Sequence, residues 1–303
     1  MQITFIFLLL IVMLNGFFVI RLVQDCLKNW QDIKLDPASA PILMISSPII
    51  FFCSALGISD FTLATLFYRK MNFLNDKKLP GTLNTQCVIP VAVMAVAFIS
   101  VIAVDTTTLL VCIIAQMLGA HFGPRIMVKF SLKTIRLIIG LGMLSSMFFI
   151  LAGKFNLMPY GGVENGLDHL KLLIAAASLM TFGALNSLGI GSYTPTLVTL
   201  YILGLNPLAA FPIIMGASAF SVPLSSIQYI KYNLYSRKIT LIAGLFGVVG
   251  AAFGVHFLHT LDLSKLQWLL VVILFYSSSS LLINEFKTYK SSAVIRDCKH
   301  AQI

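Results

Sequence analysis

Two short polar strings interrupt long apolar runs in this chain, Gly57-Ile-Ser-Asp-Phe-Thr62 and Gly189-Ile-Gly-Ser-Tyr-Thr194. Each sets a helix-breaking glycine beside hydroxyl side chains: Ser59 and Thr62 in the first, Ser192, Tyr193 and Thr194 in the second, with Gly191 as a further glycine. A helix that restarts after such a break presents free N–H groups and the positive end of its dipole, which suits an anion, and the hydroxyls add donors. The local alternative is that Ser59, Asp60 or Ser192 is an ordinary N-cap and that each Thr bonds its own backbone. For any one hydroxyl the cap is the stronger reading. For two matched breaks together, a substrate-binding site is.

Asp60 carries the most information, because an acid within an apolar run is costly and marks a function by default. It reads as a proton-coupling group or a ligand for a cation, with a charged N-cap as an equal competitor. Ionised, it would oppose a bound anion unless protonated or turned away. Asn186, just before the second break, and Ser218, in the run Gly216-Ala-Ser-Ala219, complete the candidate substrate site. Asn84, Gln86, Gln116, Ser225 and Gln228 are expected to hydrogen-bond between helices.

The elements that position these residues must lie in a membrane. Of 303 residues, 58% are hydrophobic and 11% charged, with a mean hydropathy of +0.93. Soluble chains carry about 25% charged residues. The 21 Lys and Arg and 11 Asp and Glu cannot coat a soluble domain of this size, so most of the surface faces lipid. The net charge of +10 would point a soluble protein to nucleic acid. Here the basic residues cluster in short segments between apolar runs and read as topology signals instead. Cys26, Cys53, Cys87, Cys112 and Cys298 share no metal or disulfide spacing and read as small apolar residues. No nucleophile motif, phosphate loop, metal-ligand cluster or nucleotide fingerprint is present, so neither an enzyme nor a cofactor is expected.

The first apolar run, 3–20, has no Lys or Arg before it and Arg21, Lys28 and Lys34 after it, which fits a retained helix with its N-terminus outside. Further runs fall at 41–57, 60–68, 83–104, 107–122, 134–152, 169–188, 192–204, 207–230, 239–258 and 266–284. A span needs about 20 residues, so 60–68 and 192–204 are too short to cross alone. Both follow a glycine break.

A shift of 132 residues (189 less 57) lays the first string on the second and Pro80 on Pro212. With a one-residue slip it lays Pro90 on Pro223, and Gly119-Ala-His-Phe-Gly123 on Gly250-Ala-Ala-Phe-Gly254. The charges invert between the copies. Loop 69–78 holds Arg69, Lys70, Lys77 and Lys78, loop 103–106 has none, and 121–136 holds Arg125, Lys129, Lys133 and Arg136. The matching second-half loops have none at 201–210, Lys231, Arg237 and Lys238 at 231–238, and only Lys265 at 252–267. The expectation is therefore an all-α integral membrane bundle of two inverted-topology repeats, each with a glycine-broken helix pair that spans or re-enters, plus one extra N-terminal helix. The divisions are 1–40 (extra helix and cytoplasmic linker), 41–152 (first repeat), 153–168 (external linker), 169–285 (second repeat) and 286–303 (basic cytoplasmic tail). The C-terminus then lies in the cytoplasm of a cell bounded by this plasma or inner membrane.

Over roughly residues 41 to 285 the chain resembles the TauE/SafE (TSUP) family of sulfite and organosulfur-anion exporters. In the first half the resemblance rests on Gly57-Ile-Ser-Asp-Phe-Thr, Gly81-Thr82 and Gly119-Ala-His-Phe-Gly123. In the second it rests on Gly183-Ala-Leu-Asn-Ser-Leu-Gly189-Ile-Gly191-Ser-Tyr-Thr-Pro195, Ala217-Ser218 and Gly250-Ala-Ala-Phe-Gly254. The chain departs from the family pattern in its reduced glycine clusters and in Asp60, where a small residue is expected. The resemblance implies a secondary transporter of a small sulfur-containing anion, working by alternating access. A small carboxylate as substrate, and a membrane sensor or assembly subunit that kept the fold without transport, are the alternatives.

Overall fold

A computed structural model describes residues 2–75, 77–127, 164–187, 189 and 191–259, with scattered helical positions between 141 and 151 and between 265 and 283. Among the described residues ten helices are laid out: α1 (Gln2–Lys28), α2 (Trp30–Leu35), α3 (Ala40–Ala55), α4 (Asp60–Lys70), α5 (Leu79–Val101), α6 (Thr106–Met127), α7 (His169–Ser187), α8 (Tyr193–Ile202), α9 (Pro207–Lys231) and α10 (Arg237–His259). No strand occurs among the described residues. Five of these helices, α1, α5, α7, α9 and α10, are long and apolar enough to cross a bilayer, as a multi-pass membrane protein requires. Lys129, Lys133, Arg136 and the basic tail lie outside the described residues.

The central helices α5 and α9 pack on each other. Helix α10 covers α5 and packs along α3, and helix α6 covers α9 and packs along α7. Glycine allows the closest of these crossings. A Cβ on Gly250 of α10 would overlap the Pro48 carbonyl of α3, and one on Gly119 of α6 would overlap the Met180 carbonyl of α7. These are the two glycines that the 132-residue shift, with its slip, makes equivalent.

Helix α1 is apolar all round, but Phe7, Ile11, Asn15, Phe18 and Leu22 form one buried stripe. Asn15 Nδ2 donates to the Ala219 carbonyl of α9 at 3.0 Å, which pins the stripe to the bundle, while Phe5, Leu9, Val12 and Met13 stay exposed for lipid. The helix runs past the apolar stretch 3–20 as far as Lys28, and Asp25 near its end pairs with Arg237, the first residue of α10.

Loop and terminus contacts sort the connections onto two faces. On one, Ser236 Oγ donates to Asp36 Oδ2 at 2.6 Å and Ser236 N donates to Thr82 Oγ1 at 2.9 Å. This joins the start of α3, the start of α5 and the α9–α10 loop, and with them Lys34, Lys77, Lys78, Arg237 and Lys238. On the other, Asp105 N donates to the Asn165 carbonyl at 2.8 Å and Asn206 N to the Glu164 carbonyl at 2.7 Å. That joins the start of α6, the start of α7 and the end of α8, with Asp105, Glu164 and Asp168. Each short helix therefore returns to the face its partner left: α3–α4 is a hairpin on the basic face, and α7–α8 a hairpin on the opposite one.

Candidate functional site

Glycine shapes both hairpin tips. Gly57 (φ 106°) and Gly189 (φ 83°) adopt the left-handed conformation that L side chains avoid. After α3, Gly57 N donates to the Ser54 carbonyl and Ile58 N to the Cys53 carbonyl, both at 3.0 Å, which satisfies carbonyls that water cannot reach. After α7, Gly189 N donates to the Asn186 carbonyl at 3.0 Å in the same way.

The helices restart differently. Ser59 is the N-cap of α4, its Oγ accepting from Thr62 N at 3.4 Å. This meets the cap expectation for Ser59 and leaves Asp60 inside the first turn. Ser192 holds the N-cap position of α8 but makes no cap bond. Its Oγ donates instead to Asn186 Oδ1 at 3.2 Å, back across the break. The first-turn N–H groups of α8 thus have no side-chain cap.

The two tips meet. Gly191 lies so close to Ser59 that a Cβ would overlap Ser59 Oγ, and a Cβ on Gly57 would stand 3.6 Å from the Tyr193 ring. Between them lies a cavity of about 20 Å3, with room for a water-sized body. Seven of the sequence candidates line it: Ser59, Asp60, Asn186, Gly191, Ser192, Tyr193 and Ser218. Gly57 and Gly189 build the turns instead. Thr62 contributes its backbone N–H to the cap, and Thr194, 1% exposed, is buried beside the site with an unpartnered hydroxyl.

Asp60 is 6% exposed and Tyr193 7%, and neither Asp60 Oδ2 nor the Tyr193 hydroxyl has a hydrogen-bond partner. Asp60 lines the cavity. Buried polar atoms are normally paired, so three unpaired ones on residues of one cavity, Ser54 Oγ, Asp60 Oδ2 and the Tyr193 hydroxyl, single it out as a candidate binding site. No Lys, Arg or His is among the lining residues.

Around the cavity the polar side chains brace one another. Asn84 Nδ2 donates to the Asn186 carbonyl at 3.3 Å, and Ser225 Oγ donates to Asn84 Oδ1 at 3.2 Å. Gln116 Nε2 donates to Ser218 Oγ at 3.3 Å and to Ser221 Oγ at 3.1 Å. These are the interhelical bonds expected of Asn84, Gln116 and Ser225; Gln228 is exposed.

No protein-family model, curated protein or solved structure matches the chain. The site is therefore read from its own geometry. Ser54, Cys87, Met215 and Val222 also line the cavity without having been singled out in the sequence. Ser54 sits in the last turn of α3 and was legible as a hydroxyl three residues before Gly57. Cys87, Met215 and Val222 come from the central helices, and only tertiary packing brings them here. No group of three or more metal-binding side chains occurs among the described residues.

Proposed function

We propose that this chain is a secondary transporter of a small anion, of the sulfite, sulfonate or related sulfur-containing class, worked by alternating access between two inverted halves. The observation that carries the reading is the meeting of two glycine-broken hairpin tips on a cavity lined in part by Ser59, Asp60, Asn186 and Ser192. Broken helices persist inside a bilayer where they line a binding site, and the restarted helices turn their positive ends toward an anionic group.

The inverted halves are supported by packing. Exchanging α3 with α7, α4 with α8, α5 with α9 and α6 with α10 turns the α3–α10 contact into α7–α6 and the α5–α10 contact into α9–α6. Ser59 and Gly191, which differ by 132, touch each other, as positions near a two-fold axis do. The basic face is read as cytoplasmic by the positive-inside rule, which puts the N-terminus of α1 outside. The order of the motifs supports a TauE/SafE-like protein of the plasma or inner membrane.

Alternating access requires the two halves to part in turn for loading and release. With Asp60 on the wall, an anion needs the carboxylate neutralised as it enters, and the neutralising ion is then coupled to transport. The test is uptake of labelled sulfite, a sulfonate and a small carboxylate into proteoliposomes, with Gly191→Val as the comparison. Saturable flux of one of these, abolished in a Gly191→Val protein that still inserts, is the expected result. Flux of none, or unchanged flux in the variant, overturns it.

A further inference from the structure

We propose that the first tip holds a sodium-sized monovalent cation between Asp60 Oδ2 and the Tyr193 hydroxyl, leaving the uncapped start of α8 at the second tip for the anion. This rests on the transport reading above and names its coupling ion. Both oxygens belong to side chains more than nine-tenths buried, both residues line the same cavity, and neither oxygen has a hydrogen-bond partner. Oxygens that share a cation of this size each stand about 2.4 Å from it, as they do around Ca2+, an ion of nearly equal radius. A cation on this cavity would satisfy both of them. The Ser54 and Ser59 hydroxyls border the same gap.

Charge points the same way. The cavity has room for a water-sized body, and so for a bare sodium ion. A buried carboxylate with no basic side chain on the cavity wall needs a counter-charge from elsewhere. At the start of α4, Ser59 Oγ takes the Thr62 N–H. At the second tip Ser192 bonds Asn186 and leaves the first turn of α8 without a side-chain cap. One cavity therefore has a cation side and an anion side. Filling the first removes the charge that would repel the second ligand.

The direct test is thermal unfolding of the purified full-length protein at constant ionic strength in NaCl, KCl and choline chloride. Sodium at roughly ten times its Kd is expected to raise Tm by about 3 °C over choline, and potassium by less. Asp60→Asn and, separately, Tyr193→Phe should each lose that rise while melting in choline near the wild-type temperature. An equal Tm in sodium and choline for the wild type, or a sodium rise that survives in both variants, overturns the cation site. In proteoliposomes, labelled sulfite uptake driven by a sodium gradient supports the proposal. Uptake that follows a proton gradient and ignores sodium overturns it while leaving the transport reading intact. A sodium-dependent Tm rise with no sulfite, sulfonate or carboxylate flux under any gradient supports the cation site and instead overturns transport.

Discussion

Asp25 and Asp60 are two acids packed among helices of one protein, and their surroundings are opposite. Asp25, near the end of α1, receives Arg237 Nε at 2.7 Å and Arg237 Nη2 at 3.3 Å, together with the Tyr235 hydroxyl and Asn29 Nδ2. Arg237, 4% exposed, also reaches Asp32 at 2.9 Å and stacks over the Tyr235 ring. Nothing is left for a ligand to satisfy, so this cluster is a clasp holding the extra N-terminal helix to the α9–α10 loop. Asp60 has a free oxygen, a cavity in front of it and no basic neighbour on the cavity wall. A burial cost offset by partners makes structure; one left open makes a site.

The largest effect on stability is expected from Arg237→Ala. Removing the cation strands Asp25 in a mostly buried position, and breaking a pair of this kind costs about 3–5 kcal/mol. Thermal melts in detergent should show a fall of many degrees, whereas the same measurement on a variant of exposed Lys70 should show almost none. A small loss for Arg237→Ala would mean that Asp25 is no better satisfied than Asp60, and the contrast would fail.

Tyr235→Phe should cost less, about 1–2 kcal/mol, because Asp25 keeps its arginine. Burial first, and then the bond to the Asp25 carboxylate, hold the Tyr235 hydroxyl well above the ordinary phenol range. The unfolded phenol ionises near about pH 10 while the folded one stays protonated. Above that pH the unfolded state binds fewer protons, so stability falls as pH rises. Melts of the wild type at increasing alkalinity should show this decline, and Tyr235→Phe should show a shallower one.

The smallest effect on stability is expected from Asp60→Asn, within about 1 kcal/mol, because Ser59 still caps α4 and the change removes only the charge's interaction with the start of that helix. Transport should suffer instead, through loss of ion coupling. A large fall in Tm with intact coupling would make Asp60 a second clasp. The comparison can also be sharpened at Gly57→Val, where a β-branched residue meets a φ of 106°. The tip should distort and flux should disappear while the clasp still holds α1 in place, as protease resistance of residues 1–40 would report.

Much of this contrast was legible in the sequence at one end and hidden at the other. Gly57 and Gly189 announced the tips because a glycine at the end of an apolar run is a local signal with a local cause. The 132-residue shift paired Gly119 with Gly250 before either was seen against a neighbouring carbonyl. Whether the short helices cross or return was not legible: the answer depends on Thr82 meeting Ser236 and Asn206 meeting Glu164, contacts made by loops far apart in the chain. The clasp was invisible for a similar reason. Counting Lys and Arg as topology signals passes over Asp25, Asp32 and Asp36, and their partners lie some two hundred residues away. At the second tip, Ser192 reads as a cap in sequence because capping is a local rule; Asn186, six residues back, takes its hydroxyl instead.

The central claim is that the tip cavity opens in turn to both sides of the membrane, and Cys87 measures it most directly. Its side chain is 1% exposed and lines the cavity, its Sγ donating to the Asn84 carbonyl at 3.3 Å. In a protein whose other four cysteines are replaced, a membrane-impermeant thiol reagent is applied to right-side-out and to inside-out vesicles. Alternating access predicts that Cys87 is modified in both, slowly, and at a rate that falls when Gly191→Val locks the tips. Modification from one side alone, or from neither, would contradict it.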